Sequence, residues 1–177
     1  MIYVAFLRGI NVGGKSIVSM AALKKTFERL KFSSVKTYIN SGNVIFSTPA
    51  TDVTVLTPRI ERAIAKDIGL PIKVLLRDRD SLKRLVAAIP PKWINDTTAK
   101  CDVFLLWEEI DSPEILDRFP SNPDIEDIKY VPGAVVWRVE RSRYGKSKLP
   151  KIVGTSLYKQ MTIRNVNTIR KILGLIS

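Results

Sequence analysis

The alternation of strand-like and helix-like patterns over residues 1–76 constrains the fold more than any other feature of the chain. Short runs rich in β-branched and aromatic residues predict four strands, at 2–7, 35–39, 44–47 and 72–76. Between them, apolar residues recur every three or four positions and predict two helices. Their apolar stripes are Met20, Leu23, Phe27 and Leu30 in the first helix and Leu56, Ile60, Ile64 and Ile68 in the second. The resulting βαββαβ order is that of a ferredoxin-like unit, in which helices cover one face of a sheet.

Capping and breaking residues predict where these helices begin and end. Ser19 has the position of an N-cap before the first helix, and Gly69-Leu70-Pro71 ends the second. A third helix is predicted to begin at Asp80, as its cap, and to end before Pro90-Pro91.

The second half of the chain repeats this order loosely. We predict a strand at 103–107, a short helix at 113–119, two strands at 125–131 and 134–139, and two C-terminal helices. The prediction is therefore an α+β protein of two ferredoxin-like, βαββαβ-type halves, with antiparallel or mixed sheets and helices packed on one face. The halves are residues 1–89 and 90–177, which we expect to form one compact unit.

Composition excludes several classes of protein. With 177 residues, 45% of them hydrophobic, the chain can bury a core, and its apolar runs are shorter than a bilayer requires. We therefore expect a cytoplasmic protein with no membrane partner, and the single Cys101 fits a reducing compartment. The chain has no histidine, so the commonest proton shuttle and metal ligand is absent. We predict no metal and no cofactor, and no catalytic residue can be assigned.

Positive charge is concentrated at the two ends of the chain. The formal net charge is +12, with +6 over residues 1–50, −7 over residues 101–137 and +9 over residues 138–177. A field of this sign attracts polyanions and phosphorylated small molecules. An ordinary solvated basic surface is the alternative explanation.

Two loops near the N-terminus carry polar groups that a folding domain does not need. Residues 9–16 match the P-loop pattern, but Ile17 and Val18 separate its lysine and serine from the helix cap. We favour an anion-binding nest of main-chain amides, with a turn that needs glycine as the alternative. The candidate ligand-binding residues of this first loop are Arg8, Asn11, Gly13, Gly14 and Lys15.

The second loop follows the strand at 35–39. Asn40, Ser41 and Asn43 either form an ordinary turn or project neutral donors and acceptors beside the first loop. We include them as ligand-orienting candidates, because the adjoining strands are predicted sheet neighbours.

Two C-terminal segments supply further candidates. Lys146 and Lys148 lie in a run of cations around Tyr144, whose ring offers a surface on which a nucleic-acid base can stack. An exposed loop with solubilising charge is the alternative. Farther on, Arg164, Asn165 and Asn167 complete the candidate set, with Asn165 as predicted cap of the last helix.

These four motifs together resemble a bacterial family called domain of unknown function 1697. The matching segments are 7–15, 38–44, 146–149 and 162–168. The resemblance implies a two-part, ferredoxin-like α+β architecture and no assigned activity. Residues 90–130 contribute nothing to it.

We predict an uncharacterised protein that binds an anionic ligand, either nucleic acid or a nucleotide-like phosphate, through loops rich in glycine, asparagine and lysine. Two other functions fit the sequence. One is an enzyme acting on a phosphorylated small molecule, with Lys15 or Lys146 stabilising charge. The other is an interaction module in which the acidic middle of one chain meets the basic ends of another.

Overall fold

The computed structural model describes residues 1–14 and 16–176, which form two compact units. Unit 1 comprises Met1–Leu82 and Ile176, and unit 2 comprises Lys83–Leu175. We describe each unit in turn.

Unit 1 has the predicted βαββαβ order. Its elements are β1 (Ile2–Leu7), α1 (Met20–Arg29), β2 (Ser33–Tyr38), β3 (Asn43–Ser47), α2 (Val53–Ile68) and β4 (Val74–Asp78). The four strands pair in the order β2-β3-β1-β4, and every neighbouring pair is antiparallel. The central strand β1 therefore pairs on both sides, with Ala5 opposite Val44 of β3 and Leu76 of β4.

Alternate residues of β1 form the core of unit 1 with the two helices. Tyr3, Ala5 and Leu7 belong to one buried cluster. The helices contribute Leu23, Phe27, Leu56, Ile60 and Ile64 to the same cluster. The predicted apolar stripes are thus the buried faces of α1 and α2.

The predicted ends of α1 and α2 are also confirmed. The Ser19 side chain accepts a hydrogen bond from the Ala22 main-chain N–H at 3.3 Å, which caps α1. Gly69 ends α2 with φ of +78°, a backbone conformation that glycine adopts without strain.

The third helix, α3 (Arg79–Ala88), begins differently from the prediction. Asp78, the last residue of β4, accepts a hydrogen bond from the Ser81 main-chain N–H at 2.7 Å. Asp80 lies inside the first turn. The predicted cap at Asp80 was wrong, because both aspartates favour a helix start and only the end of β4 decides between them.

Unit 2 repeats the sheet of unit 1. Its elements are β5 (Ala99–Leu106), β6 (Glu126–Val131), β7 (Ala134–Glu140), β8 (Met161–Asn165) and α4 (Val166–Ile176). The strands pair in the order β6-β7-β5-β8, again antiparallel throughout. Short 3-10 helices such as Pro113–Arg118 and Arg141–Lys146 take the places of α1 and α2.

The prediction of two C-terminal helices was wrong. Leu149–Ile152 forms one short 3-10 helix, and Gly154, at φ of +88°, follows it. The chain then enters β8, which pairs with β5 so that Ile163 lies opposite Phe104. Of the two predicted helices, the structure contains only α4 among its described residues.

The α+β class and the two ferredoxin-like halves are confirmed. Within residues 1–14 and 16–176, no helix combines the length and the apolar content needed to cross a bilayer.

Gly42, between β2 and β3, is a point where two loops touch. A Cβ atom there would lie 2.6 Å from Ile10 Cδ1 and 2.9 Å from Leu7 Cβ, and the Gly42 φ is +79°. The Leu7 main-chain N–H donates to the Gly42 carbonyl oxygen at 2.8 Å. The turn between β2 and β3 can approach β1 this closely only because residue 42 is a glycine and has no side chain.

We expect Gly42→Ala to lower the free energy of unfolding by about 3 kcal/mol, combining backbone strain with overpacking. Gly69→Ala is the matched control, because Gly69 has φ of +78° and nothing within 4 Å of its added Cβ. The control should lose only about 1 kcal/mol. Urea unfolding of both variants measures the difference, and equal losses would contradict the close approach.

Candidate functional site

The first loop, residues 8–18, is closed by one asparagine. Asn11 Nδ2 donates to the Val18 carbonyl oxygen at 3.1 Å, and the Val18 N–H donates to Asn11 Oδ1 at 2.8 Å. Asn11 Nδ2 also donates to the Asn40 carbonyl oxygen at 2.7 Å. The Asn11 φ of +53° lies in the left-handed region, which asparagine tolerates. One carboxamide therefore closes the first loop and ties it to the second loop, residues 39–42.

A second asparagine, Asn43, stabilises the second loop through hydrogen bonds of its side chain. Asn43 is fully buried, and its Nδ2 donates to the Tyr38 carbonyl oxygen at 2.9 Å and to Ser41 Oγ at 3.0 Å. The candidate groups of Asn43 and Ser41 thus hold the turn between β2 and β3.

The two loops and the start of α1 enclose a surface pocket, which we call the loop pocket. Its volume is about 410 Å³, within the usual range for small-ligand sites. The described residues that line it are Asn11, Gly14, Ile17, Val18, Ser19, Met20 and Asn40. None of these is acidic. The structure therefore brings three of the candidate residues, Asn11, Gly14 and Asn40, to one pocket.

Several polar groups of the loop pocket have no partner among the described residues. The main-chain N–H of Gly14 and the side-chain carboxamide of Asn40 make no hydrogen bond there. The first turn of α1 carries no acidic side chain, and the N–H groups of Met20 and Ala21 have no acceptor among the described residues. These donors favour an anion at the pocket.

Other candidates of the first loop lie near this pocket or outside the described residues. Arg8 follows β1, is half-buried, and donates its main-chain N–H to the Lys73 carbonyl oxygen at 2.9 Å. Gly13 precedes Gly14 with φ of +57°. Lys15 falls outside the described residues.

Exposed aliphatic side chains surround these polar groups. Val12 is 64% exposed, Ile17 77% and Ile39 47%. Ile39 is also a β-branched residue with φ of +48°, a strained conformation. Strain and exposed apolar surface in the same loop both cost stability, and strain of this kind is concentrated at functional sites.

The candidate lysines of unit 2 lie on a segment fixed by Glu126, a residue that the sequence analysis missed. Glu126 is only 4% exposed and accepts hydrogen bonds from four groups. These donors are Trp137 Nε1 at 2.8 Å, the Asn122 N–H at 2.8 Å, the Lys148 N–H at 3.3 Å, and Ser147 Oγ. Lys146 and Lys148 themselves are exposed and make no side-chain hydrogen bond or ion pair within the described part of the chain. The buried carboxylate therefore holds the backbone that presents them.

A lysine and an aspartate lie beside this carboxylate on the same face of the sheet. Lys100 Nζ is 3.5 Å from Asp102 Oδ2, 4.8 Å from the centre of the Tyr144 ring and 5.6 Å from that of Trp137. Burial raises the pKa of Asp102, and the Lys100 cation partly offsets this. Lys100 and Asp102 are two residues apart on β5 and so share a face, but the strand predicted from the sequence began only at residue 103 and did not include them.

The remaining candidates of unit 2 mostly stabilise the fold. Asn165 Oδ1 accepts from the Asn167 N–H at 2.8 Å, which confirms its predicted capping of α4. Asn167 Nδ2 donates to the Asn95 carbonyl oxygen at 2.7 Å. Arg164 is 6% exposed, and its guanidinium donates to Thr162 Oγ1 at 3.0 Å and to the Ile163 carbonyl oxygen at 2.7 Å. Burial lowers the pKa of Arg164 to about 10.

The described residues give little support to nucleophilic or metal chemistry. Burial, with a smaller contribution from Asp102, raises the pKa of the Cys101 thiol to about 12, so the thiol is protonated at neutral pH. No group of three or more histidine, cysteine or acidic side chains among the described residues is placed to hold a metal ion.

These features define an α+β protein with two antiparallel four-stranded sheets and a small pocket between two loops. Residues 1–137 match the model of the family described as "Protein of unknown function (DUF1697)", and the chain belongs to this family. The match includes residues 90–130, which had shown no resemblance. The two C-terminal motifs lie beyond it.

A solved structure is similar over almost the whole chain. It is that of the conserved bacterial protein SP0830 from Streptococcus pneumoniae, with a TM-score of 0.85 and 25% identity. The similarity covers 99% of this chain and 98% of that one. None of the curated proteins matches the chain.

We expect Glu126→Gln to lower the free energy of unfolding by about 2 kcal/mol, because an amide cannot accept from all four donors. Asp127→Asn is the matched control, since the Asp127 side chain is 57% exposed and pairs with Arg138 at the surface. The control should change stability by less than about 0.5 kcal/mol. Guanidinium unfolding of both variants measures the difference, and a neutral Glu126→Gln would show that Glu126 does not anchor the segment.

Ile39→Gly should raise the free energy of unfolding by about 0.5–1 kcal/mol, because relief of the left-handed strain exceeds the entropy that glycine adds to the unfolded chain. Ile17→Gly is the control, since Ile17 is exposed and its φ is not positive. Ile17→Gly should leave the free energy of unfolding unchanged or lower it. Thermal unfolding distinguishes the two, and a loss of stability in Ile39→Gly would show that Ile39 packs usefully.

Proposed function

We propose that this protein binds a small phosphate-bearing ligand, of about the size of a nucleotide, in the loop pocket. The observation that carries the proposal is the set of donors there that have no partner among the described residues: the Gly14 N–H, the Asn40 carboxamide and the Met20 and Ala21 N–H groups at the start of α1. Main-chain amides at a helix N-terminus stabilise phosphate oxygens by direct hydrogen bonds and by the helix dipole.

The charge of the surroundings supports an anion. Residues 1–50 have a net charge of +6, and the described lining of the pocket is free of acidic side chains. Lys15 follows Gly14 in the sequence and supplies a further cation in the proposal. The net positive charge attracts an anion at long range, and the hydrogen-bond donors of the pocket bind it at short range.

The aliphatic side chains of the pocket support a ligand with an apolar part. Ile17, Val18 and Met20 line it together with the polar groups. Val18 is already buried, but inorganic phosphate would leave the exposed Ile17 and part of Met20 in water, whereas the base of a nucleotide would cover them. We therefore expect a nucleoside monophosphate to bind more tightly than inorganic phosphate.

Adenosine monophosphate and inorganic phosphate, titrated by calorimetry at low salt, test the proposal. We expect measurable binding of the nucleotide and a loss of about tenfold in Asn40→Ala and in Lys15→Ala, since a hydrogen bond to a charged group contributes about 1.5–3 kcal/mol. Lys66→Ala is the control for charge, because Lys66 is exposed on α2 and outside the pocket lining. Absence of binding at millimolar concentration, or equal affinity in all variants, would overturn the proposal.

A further inference from the structure

A second surface, in unit 2, combines an exposed aromatic ring with unpaired cations. Tyr144 is 38% exposed within the 3-10 helix Arg141–Lys146. Lys100 Nζ lies 4.8 Å from the centre of the Tyr144 ring, and the centre of the Trp137 ring lies 6.1 Å from it. These contacts hold the ring in place while part of it remains open to solvent.

The backbone that carries Tyr144 is fixed on both sides. Before it, Arg141 Nε donates to the Asp96 carbonyl oxygen at 2.6 Å, and Arg143 donates to the Asp124 carbonyl oxygen. After it, the Ser147 N–H donates to the Tyr144 carbonyl oxygen at 3.0 Å, and Ser147 Oγ donates to Glu126. A ligand that stacks on this ring therefore does not have to order the segment first, which favours binding.

The cations of this segment divide into anchors and free groups. Residues 141–151 contain five cations and no acid. Arg141 and Arg143 are bonded to main-chain carbonyl groups, as described above. Lys146, Lys148 and Lys151 are exposed, and no ion pair or hydrogen bond of their amino groups occurs within the described residues. Three free ammonium groups thus follow the ring within seven residues.

We propose that this surface binds single-stranded nucleic acid, with one unpaired base stacked on Tyr144 and the adjacent phosphates bound by Lys146 and Lys148. Stacking on an aromatic ring accepts any base, and lysines along the backbone supply affinity that depends on salt. A duplex keeps its bases stacked within the helix and cannot offer one to the ring. This surface shares no residue with the loop pocket, and its assignment does not depend on the function proposed for that pocket.

Fluorescence anisotropy of labelled twelve-nucleotide oligouridine, oligothymidine and a duplex of equal length, across a salt series, tests this assignment. We expect the single strands to bind more tightly than the duplex. Tyr144→Phe should keep the affinity within about twofold, whereas Tyr144→Leu, which keeps an apolar cover over Trp137, should weaken it about tenfold. Circular dichroism and urea unfolding establish that both variants fold.

The salt dependence of binding measures the contribution of Lys146 and Lys148 separately. Lys146→Ala/Lys148→Ala should weaken binding and reduce the slope of log affinity against log salt by about 1.4, the value for two phosphates on a single strand. Lys66→Ala/Lys83→Ala is the control with the same change in net charge, and it should leave the slope unchanged. Asn40→Ala should leave oligonucleotide binding unchanged, which separates this surface from the loop pocket. Equal affinity of Tyr144→Phe and Tyr144→Leu, equal binding of duplex and single strand, or no binding at low salt would overturn the proposal.

Discussion

The pairing of β1 with β3 and β4 is the constraint on which unit 1 depends. Because β1 is central, its C-terminal end lies beside the start of β3, and the loops next to those ends must meet. The hydrogen bond from the Leu7 N–H to the Gly42 carbonyl oxygen, at 2.8 Å, fixes this meeting point. Strand order therefore brings the two loops together, and loop residues such as Asn11 and Gly42 then decide how closely they pack.

Buried or half-buried polar side chains anchor the loops in both units. Asn11 and Asn43 hold the loops of unit 1, and Glu126 holds a segment of unit 2. A buried polar group costs stability unless its hydrogen bonds are made, so each anchor also specifies one loop conformation. The backbone that carries Lys146 and Lys148 is held in this way, and their ammonium groups face solvent.

Local pattern was sufficient for the elements whose burial follows a regular period. The stripes of α1 and α2 and the run of β1 were predicted correctly because each has one face in the core of unit 1. β8 was missed because its alternation of apolar and polar residues extends only over residues 161–164, and its pairing with β5 is decided by residues far away in sequence.

The candidate functional residues, like the fold, could be predicted from the sequence only in part. Neighbouring strands implied that the first and second loops meet, and the contact of Asn11 with Asn40 agrees with that reasoning. The role of Glu126 was not predictable, because a glutamate in a strand is ordinarily exposed. Its burial depends on the register of β6 with β7, which puts it opposite Val139, and on the return of the chain at Ser147. Such roles belong to tertiary structure and leave no local pattern.

The distribution of charge in unit 2 bears on how the protein meets other molecules. The acidic run at 101–137 and the basic run at 138–177 lie next to each other in the chain, and the boundary between them falls within β7, which pairs with β6. Arg138 of the basic run pairs with Asp127 of the acidic run at 3.2 Å, so part of this complementarity is satisfied within one chain. This ion pair leaves neither Arg138 nor Asp127 for a charge-driven contact with a second copy of the chain. The cations that remain free follow β7, at Lys146, Lys148 and Lys151, where the described structure gives them no carboxylate partner. A basic surface of this kind attracts external anions.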